Sequence, residues 1–392
     1  MTSRRPRAAA LAALLLALTG ARPGGAAETL VAGDAELRDA LSHLGPGSVV
    51  VLASGEYRGG IALRGAAGTE KAPIVIRGAD PKRPPVFVGG TTAMQLSDCS
   101  WIEIRSIAVK GATGNGLNID DGGSFDTPSH HVTVQDVSIS DIGPRGNHDG
   151  LKMSGVDRFT VRNCRFEGWG GSAIDMVGCH DGVVEDCVFR GKAGYSQDSG
   201  VQMKGGTADV LVQTCLFDQA GERAVNLGGS TGLEFFRPKP GEFEAMRITV
   251  GGNRFLGSSA PVAFVGADAG RVVRNTFVRP GKWVLRILQE QRAPGFLPCR
   301  GGVFEENLVV TDEKVATFVN VGDATAPETF TFRRNAWFRE GPAARPQLPV
   351  AEKDGIHGVD PKLDETGPPA WRVTSRDPAL RGIGADAWER RR

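Results

Sequence analysis

NGLNID (115–120), DGLKMS (149–154), SAIDMV (172–177), SGVQMK (199–204) and RAVNLG (223–228) are five copies of one six-residue pattern. APVAFV (260–265) and WVLRIL (283–288) extend it, and the fourth residues stand 34, 23, 27, 24, 37 and 23 positions apart. A second apolar segment follows each copy: HVTVQDVSI, RFTVRNCRF, GVVEDCVF, VLVQTCLF, MRITVGGNRF, RVVRNTF and GVFEENLVV. Short β-type segments returning with this period, and no helical periodicity between them, predict one turn of a parallel coil per repeat. The fold class is therefore all-β: a right-handed parallel β-helix of about ten coils. A leucine-rich horseshoe needs a regular Leu and Asn framework that is absent, and propeller blades need longer repeats. The longer spacings are coils with insertions, GGSFDTPSH (122–130) and STGLEFFRPKPGEFE (230–244), expected to rim the binding face.

Working outward, SVVVL, PIVIRG and MQL read as the first strands. Before them DAELRDALSHL (34–44) sets Leu37, Leu41 and Leu44 on one helical face behind an Asp34 N-cap, a capping helix over the open coil. Arg4, Arg5 and Arg7, the apolar run Ala8–Leu18 and small residues up to Ala27 read as an export signal. The expected organisation is a signal peptide (1–27), a β-helix domain (28–340) and an irregular tail (341–392) packed on the coil. Secretion or periplasmic export follows, with no membrane insertion after cleavage, a retained N-terminal anchor being the alternative reading, and a monomer is expected. Cleavage after Ala27 removes four arginines and no acid, leaving 42 basic against 45 acidic residues, a net charge of −3. So balanced a chain has no general attraction for nucleic acid or anionic membrane, and any polyanion site must be local.

Alternation assigns directions. The third and fifth residues (Leu117/Ile119, Leu151/Met153, Ile174/Met176, Val201/Met203, Val225/Leu227) point inward. Three columns are read as outward: a small one (Gly116, Gly150, Ala173, Gly200, Ala224), a polar one (Asn118, Lys152, Asp175, Gln202, Asn226, then Ala263 and Arg286) and a last one holding Asp120, Ser154, Val177, Lys204 and Gly228. The small column is expected to leave a trough for a sugar chain. Beside it lie Lys152, Asp175, Lys204 and Arg223, with Asp149 at the edge and His148 and Asp198 one residue earlier in their coils. A solvated polar face is the plain alternative. Asn163, Asp186, Thr214, Asn253, Asn275, Asn307 and Asn335 form a ladder at a chain bend that favours the left-handed conformation. Cys164, Cys187 and Cys215 read as stacked buried thiols, with Cys99, Cys179 and Cys299 open.

In the entry segment GPGSVVVLASGEYRGGIALRGAAGTEKAPIVIRG (45–78) and the closing segment GVDPKLDETGPPAWRVTSRDPALRGIGA (358–385), the chain resembles the pectate-lyase-like β-helix superfamily. The entry segment is similar to secreted bacterial lyases of the chondroitinase B, alginate lyase and family 9 pectate lyase type. The resemblance implies an acidic polysaccharide partner, and β-elimination by loss of the uronate C5 proton and the oxygen at C4. It makes Lys152 and Lys204 candidate bases and Arg223 a carboxylate clamp or proton donor. Asp149, Asp175 and Asp198 become candidate calcium ligands, though no complete family calcium motif is matched. His148, Asn118, Gln202 and Asn226 are the expected substrate-binding residues. NHDG (147–150) also resembles the NTDG box of family 28 polygalacturonases, so an inverting hydrolase using Asp149 and Asp175 is the second enzymatic reading. A non-catalytic glycan-binding solenoid is the third.

Overall fold

The computed structural model describes residues 28–124, 126–367 and 369–389, so the expected export signal lies outside the described residues. The chain winds through three long parallel sheets in turn, of fifteen, ten and twelve strands among the described residues. The motif sheet's ten strands run from Ile61–Arg64 to Val319–Val321, so ten coils reach this face. Leu117, Leu151, Ile174, Val201, Val225, Val262 and Leu285 stand in one register column, each completely buried. No helix among the described residues is long and apolar enough to cross a membrane.

Stacking of like on like fills the interior. Phe166, Phe189, Phe217, Phe255 and Phe277 form a ring stack with centroids 4.6–5.0 Å apart, the spacing that hydrogen-bonded strands impose. Burying each ring contributes roughly 2–3 kcal/mol, and the offset stacking adds to this. The small column belongs to this interior rather than to an outer trough. Gly150 and Gly200 lie against Phe166 and Phe217, and a Cβ at either would meet the carbonyl of the next coil at 2.6 and 2.4 Å.

The bend ladder proves to be two adjacent columns. Asn163, Asp186 and Thr214 take positive φ, and the column continues through Gly252, Arg274, Glu306 and Arg334. Asn253, Asn275, Asn307 and Asn335 sit one residue later and inside, prolonging the column of Cys164, Cys187 and Cys215. Each of these asparagine amides donates to the next, Asn253 to Asn275 at 3.0 Å, Asn275 to Asn307 at 3.1 Å and Asn307 to Asn335 at 3.0 Å. Each side-chain oxygen also accepts a backbone N–H of the coil before it. All six cysteines are free and buried. Burial pushes the Cys179 and Cys299 thiols up to about 12.

The helix spans Asp34–Ser42 with Leu37 buried and Leu41 and Leu44 packed on the core, as expected. Its N-cap is Gly33, however, and the Asp34 carboxylate instead accepts the Arg58 N–H at 3.0 Å. From Gly341 the chain makes only short pairings and turns. Leu380 and Ile383 pack on Leu308, Val310 and Ala336, and the Trp388 ring fills the space a Cβ at Gly251 or Gly252 would need.

The two columns should differ sharply on mutation. Asn275→Ala orphans the Asn253 N–H and the Val250 carbonyl. It should cost at least about 2 kcal/mol in a denaturant titration. Asn163→Ala, at the exposed left-handed position, should cost about 1 kcal/mol or less.

Candidate active-site cleft

Four strands of the motif sheet present the candidate residues: Leu151–Ser154, Ser172–Val177, Ser199–Lys204 and Arg223–Gly228. Their register aligns Asn118, Lys152, Asp175, Gln202 and Asn226 across neighbouring coils, and Val177 with Lys204. Three of these coils turn immediately after the strand through Gly155, Gly178 and Gly205, all near φ +60°. Such a turn needs no insertion, so the sheet edge stays low here while the coils on either side carry loops.

Asp175 is fully buried, yet both its oxygens face lysines. Oδ2 accepts a hydrogen bond from Lys152, and Oδ1 lies 3.1 Å from Lys204 Nζ. Lys204 also donates to Gln202 Oε1 at 3.2 Å. Asp149 lies beneath the cluster rather than at its edge: Oδ1 accepts the Ser172 N–H at 2.7 Å, while Oδ2 accepts no hydrogen bond and lies 3.5 Å from Lys152 Nζ. Burial and the Asp175 charge push the Asp149 carboxyl from 3.8 up to about 6, against the pull of Lys152. For Lys152, burial favours the neutral amine, but Asp175 and Asp149 together outweigh it and raise its pKa. Lys152 is a held cation.

Lys152, Ser154, Val177 and Lys204 line a cleft of about 740 Å³. Asp121, Gly123, Asn147 and the insertion Ser230–Lys239 complete its lining. That insertion is fastened at two points. Arg237 pairs with Asp157 through both nitrogens at 2.7 and 2.8 Å, and His180 Nδ1 lies 3.0 Å from the same carboxylate. Although burial alone would raise it, the Asp157 carboxyl is held far below its usual range by Arg237 and His180. At the far end the buried Glu244 carboxylate accepts from Gly205 N, Thr231 N and Thr231 Oγ at 2.7–2.9 Å. Between these anchors Phe235 projects, 57% exposed, at the cleft rim. The insertion was legible in the sequence as a break in period. Its fasteners were not, because Asp157 and Arg237 are 80 residues apart.

Other expected site residues lie elsewhere. The His148 ring packs on Gly143 and does not line the cleft. Asn118 bonds Asn115 and Asp120 beside the cleft, and Asn226 is buried, bracing the Gly228 carbonyl at 3.2 Å. Gln202 braces the same carbonyl and Lys204. Arg223 does not converge with the lysines; it pairs with Glu290 at 2.6 Å. Asp198 is raised by desolvation and then by Glu222, and does not join Asp149 and Asp175. The expected calcium set is thus not assembled: among the described residues no three His, Cys, Asp or Glu side chains are grouped to hold an ion. The Lys152 ammonium occupies the place between Asp149 and Asp175.

Asp149 supplies a pH signature. A carboxyl with a raised folded-state pKa stabilises the fold fully below 3.8 and loses that contribution as pH rises through about 6. Asp149→Asn keeps the acceptor for Ser172 and removes the titration. Its stability relative to the unmutated protein should therefore rise between about pH 4 and pH 7 in denaturant titrations. Parallel pH profiles for the two proteins would contradict the assignment.

Residues 89–278 match the family described as "Right handed beta helix region". Among curated proteins no sequence matches. Among solved structures, the alginate lyase from Paenibacillus sp. str. FPU-7 superposes with a TM-score of 0.50 at 19% identity, over 85% of this chain and 99% of that one. Pectate lyase Pel9A gives a TM-score of 0.54 at 13% identity, over 81% of both chains. The catalytic unit of the GH87 α-1,3-glucanase from Streptomyces thermodiastaticus strain HF3-3 gives 0.56 at 15%, over 86% of this chain and 69% of that one. With three parallel sheets wound in successive coils and a family match across its centre, the chain has the right-handed parallel β-helix fold that these structures share.

Proposed function

We propose that the protein cleaves a uronate-containing polysaccharide by β-elimination in the cleft over Lys152 and Lys204. The observation that carries this reading is a pair of lysines sharing one fully buried carboxylate at the floor of that cleft. A uronate carboxylate is attracted to such a floor, and neutralising it makes the C5 proton removable. Lys152, clamped by two aspartates, is assigned to bind and neutralise the carboxylate and to stabilise the charge that develops beside C5. Lys204, which touches Asp175 through one oxygen only, is assigned as the base. The C5 proton passes to its amine, the C4–C5 double bond forms and the C4–O bond breaks. The ammonium so formed is the nearest acid for the departing oxygen. An alginate lyase and a pectate lyase among the structural neighbours fit this reading, as does the export signal read in residues 1–27.

The raised Asp149 carboxyl favours a second reading, a hydrolase with Asp149 as general acid. Its burial beneath the sheet, out of the cleft lining, weighs against it.

Purified protein incubated with alginate, pectate and glycosaminoglycans should produce absorbance near ~235 nm from the unsaturated product, the signature of a proton removed by a positioned base. Lys204→Ala should lose about 10²-fold or more in kcat. Lys152→Ala should raise KM and lower kcat together, because the same ammonium binds the carboxylate and stabilises the developing charge, whereas Lys204→Ala should leave KM nearly unchanged. Reducing ends without the absorbance would replace elimination by hydrolysis, and both lysine variants cutting at the normal rate would end the proposal.

A further inference from the structure

The motif sheet is open toward one end of the coil and roofed toward the other. On the amino-terminal side the polar column stays half-exposed at Gln95 and Asn118. On the carboxy-terminal side it is covered at the next two coils, where Asn226 is 1% exposed and Ala263, its register partner, 0%, before Arg286 and Asn320 emerge half-buried in the same column. Ala263 and Val265 hold the fourth and sixth positions of their motif, which face away from the core. With Leu288 they form a buried apolar cluster of their own, separate from the interior.

Two insertions make the roof. The loop that carries Phe235 meets the segment after Leu288, where Gln291 Nε2 donates to the Thr231 carbonyl at 2.9 Å and Leu297 N to the Glu242 carbonyl at 3.1 Å. Phe236 and Phe296 meet edge to face at 5.1 Å. From the opposite strand end, Arg223 reaches Glu290 at 2.6 Å, strapping the same coils. The cleft lining accordingly stops at the insertion and includes nothing from the coils beyond it.

We propose that the cleft is a chain-end site: a polysaccharide terminus enters from the open side, abuts the roof beyond Lys204, and is processed from that end. This rests on the reading of the ligand as a uronate polymer and adds the mode of action. A through-going groove would let a polymer bind anywhere along its length. A groove blocked on one side by packed loops admits only as many sugar units as fit before the wall.

The test uses polymannuronate and polygalacturonate, each as long polymer and as sized oligomers. At low conversion the wild-type protein should release one small product from either length while viscosity falls slowly. Early release of mixed large oligomers with rapid viscosity loss would overturn the proposal. The double variant Gln291→Ala/Phe296→Ala, which loosens the roof without touching either lysine, should increase viscosity loss per bond cut severalfold; an unchanged ratio in the folded variant would count against the roof. If neither polymer is cut, elimination has failed, and binding stoichiometry decides the chain-end question by itself. One protein bound per chain at every length supports it. Occupancy that grows with chain length, or no binding to either polymer, overturns it.

Discussion

Every coil lies directly on the next because parallel strands hydrogen-bond in register, at a rise near 4.8 Å. That constraint makes each side-chain position a column, and a column has few stable fillings. Phenylalanines stack face on face, thiols sit sulfur over main chain, and buried asparagines bond one another while capping N–H groups of the preceding coil. A buried amide costs a great deal unless it is paired, and only an unbroken run of identical residues pairs each one. The ladder Asn253–Asn275–Asn307–Asn335 accordingly ends on an acceptor, Glu352, at 2.8 Å.

The same stacking places unlike charges on one another outside the coil. Lys152 and Asp175 are register partners and Lys204 is one coil along, so the buried Asp175 carboxylate has a cation on either side. A carboxylate so far from water needs opposite charge beside it, and the half-satisfied Asp149 below, whose pKa is pushed up by burial and the Asp175 charge, has less of it. The pair of lysines therefore stabilises Asp175, while Asp175 holds the two amines at the cleft floor. Under the proposed function, substrate capture would be an exchange of partners, a uronate carboxylate replacing part of what Asp175 gives. Such an exchange costs less than desolvating free ammonium groups.

Specificity is a matter of where the coil departs from its minimal period. The three coils with tight glycine turns form the floor, and the neighbouring insertions supply walls and roof. The Asp157–Arg237–His180 and Glu244–Thr231 fasteners hold the insertion on both sides of its exposed tip. A rigid loop of this kind fixes the position of Phe235 without further ordering on binding.

The sequence by itself determined the β-helix, its ten coils, the inward columns, the capping leucines and the neighbourhood of Lys152, Asp175 and Lys204. All of these follow from a local period repeated in register, and period is a one-dimensional property. It went wrong where one residue of offset matters. The small column was turned outward although it backs onto Phe166 and Phe217, and two adjacent columns were merged into one asparagine ladder. Tertiary structure alone decided which polar residues reach the cleft. Asn226 is buried, the His148 ring packs on Gly143, Arg223 pairs with Glu290, Asp198 lies near the like-charged Glu222 instead of joining Asp149 and Asp175, and the insertions close one end of the face. Those outcomes depend on contacts between segments tens of residues apart whose pairing energies leave no periodic trace in the chain.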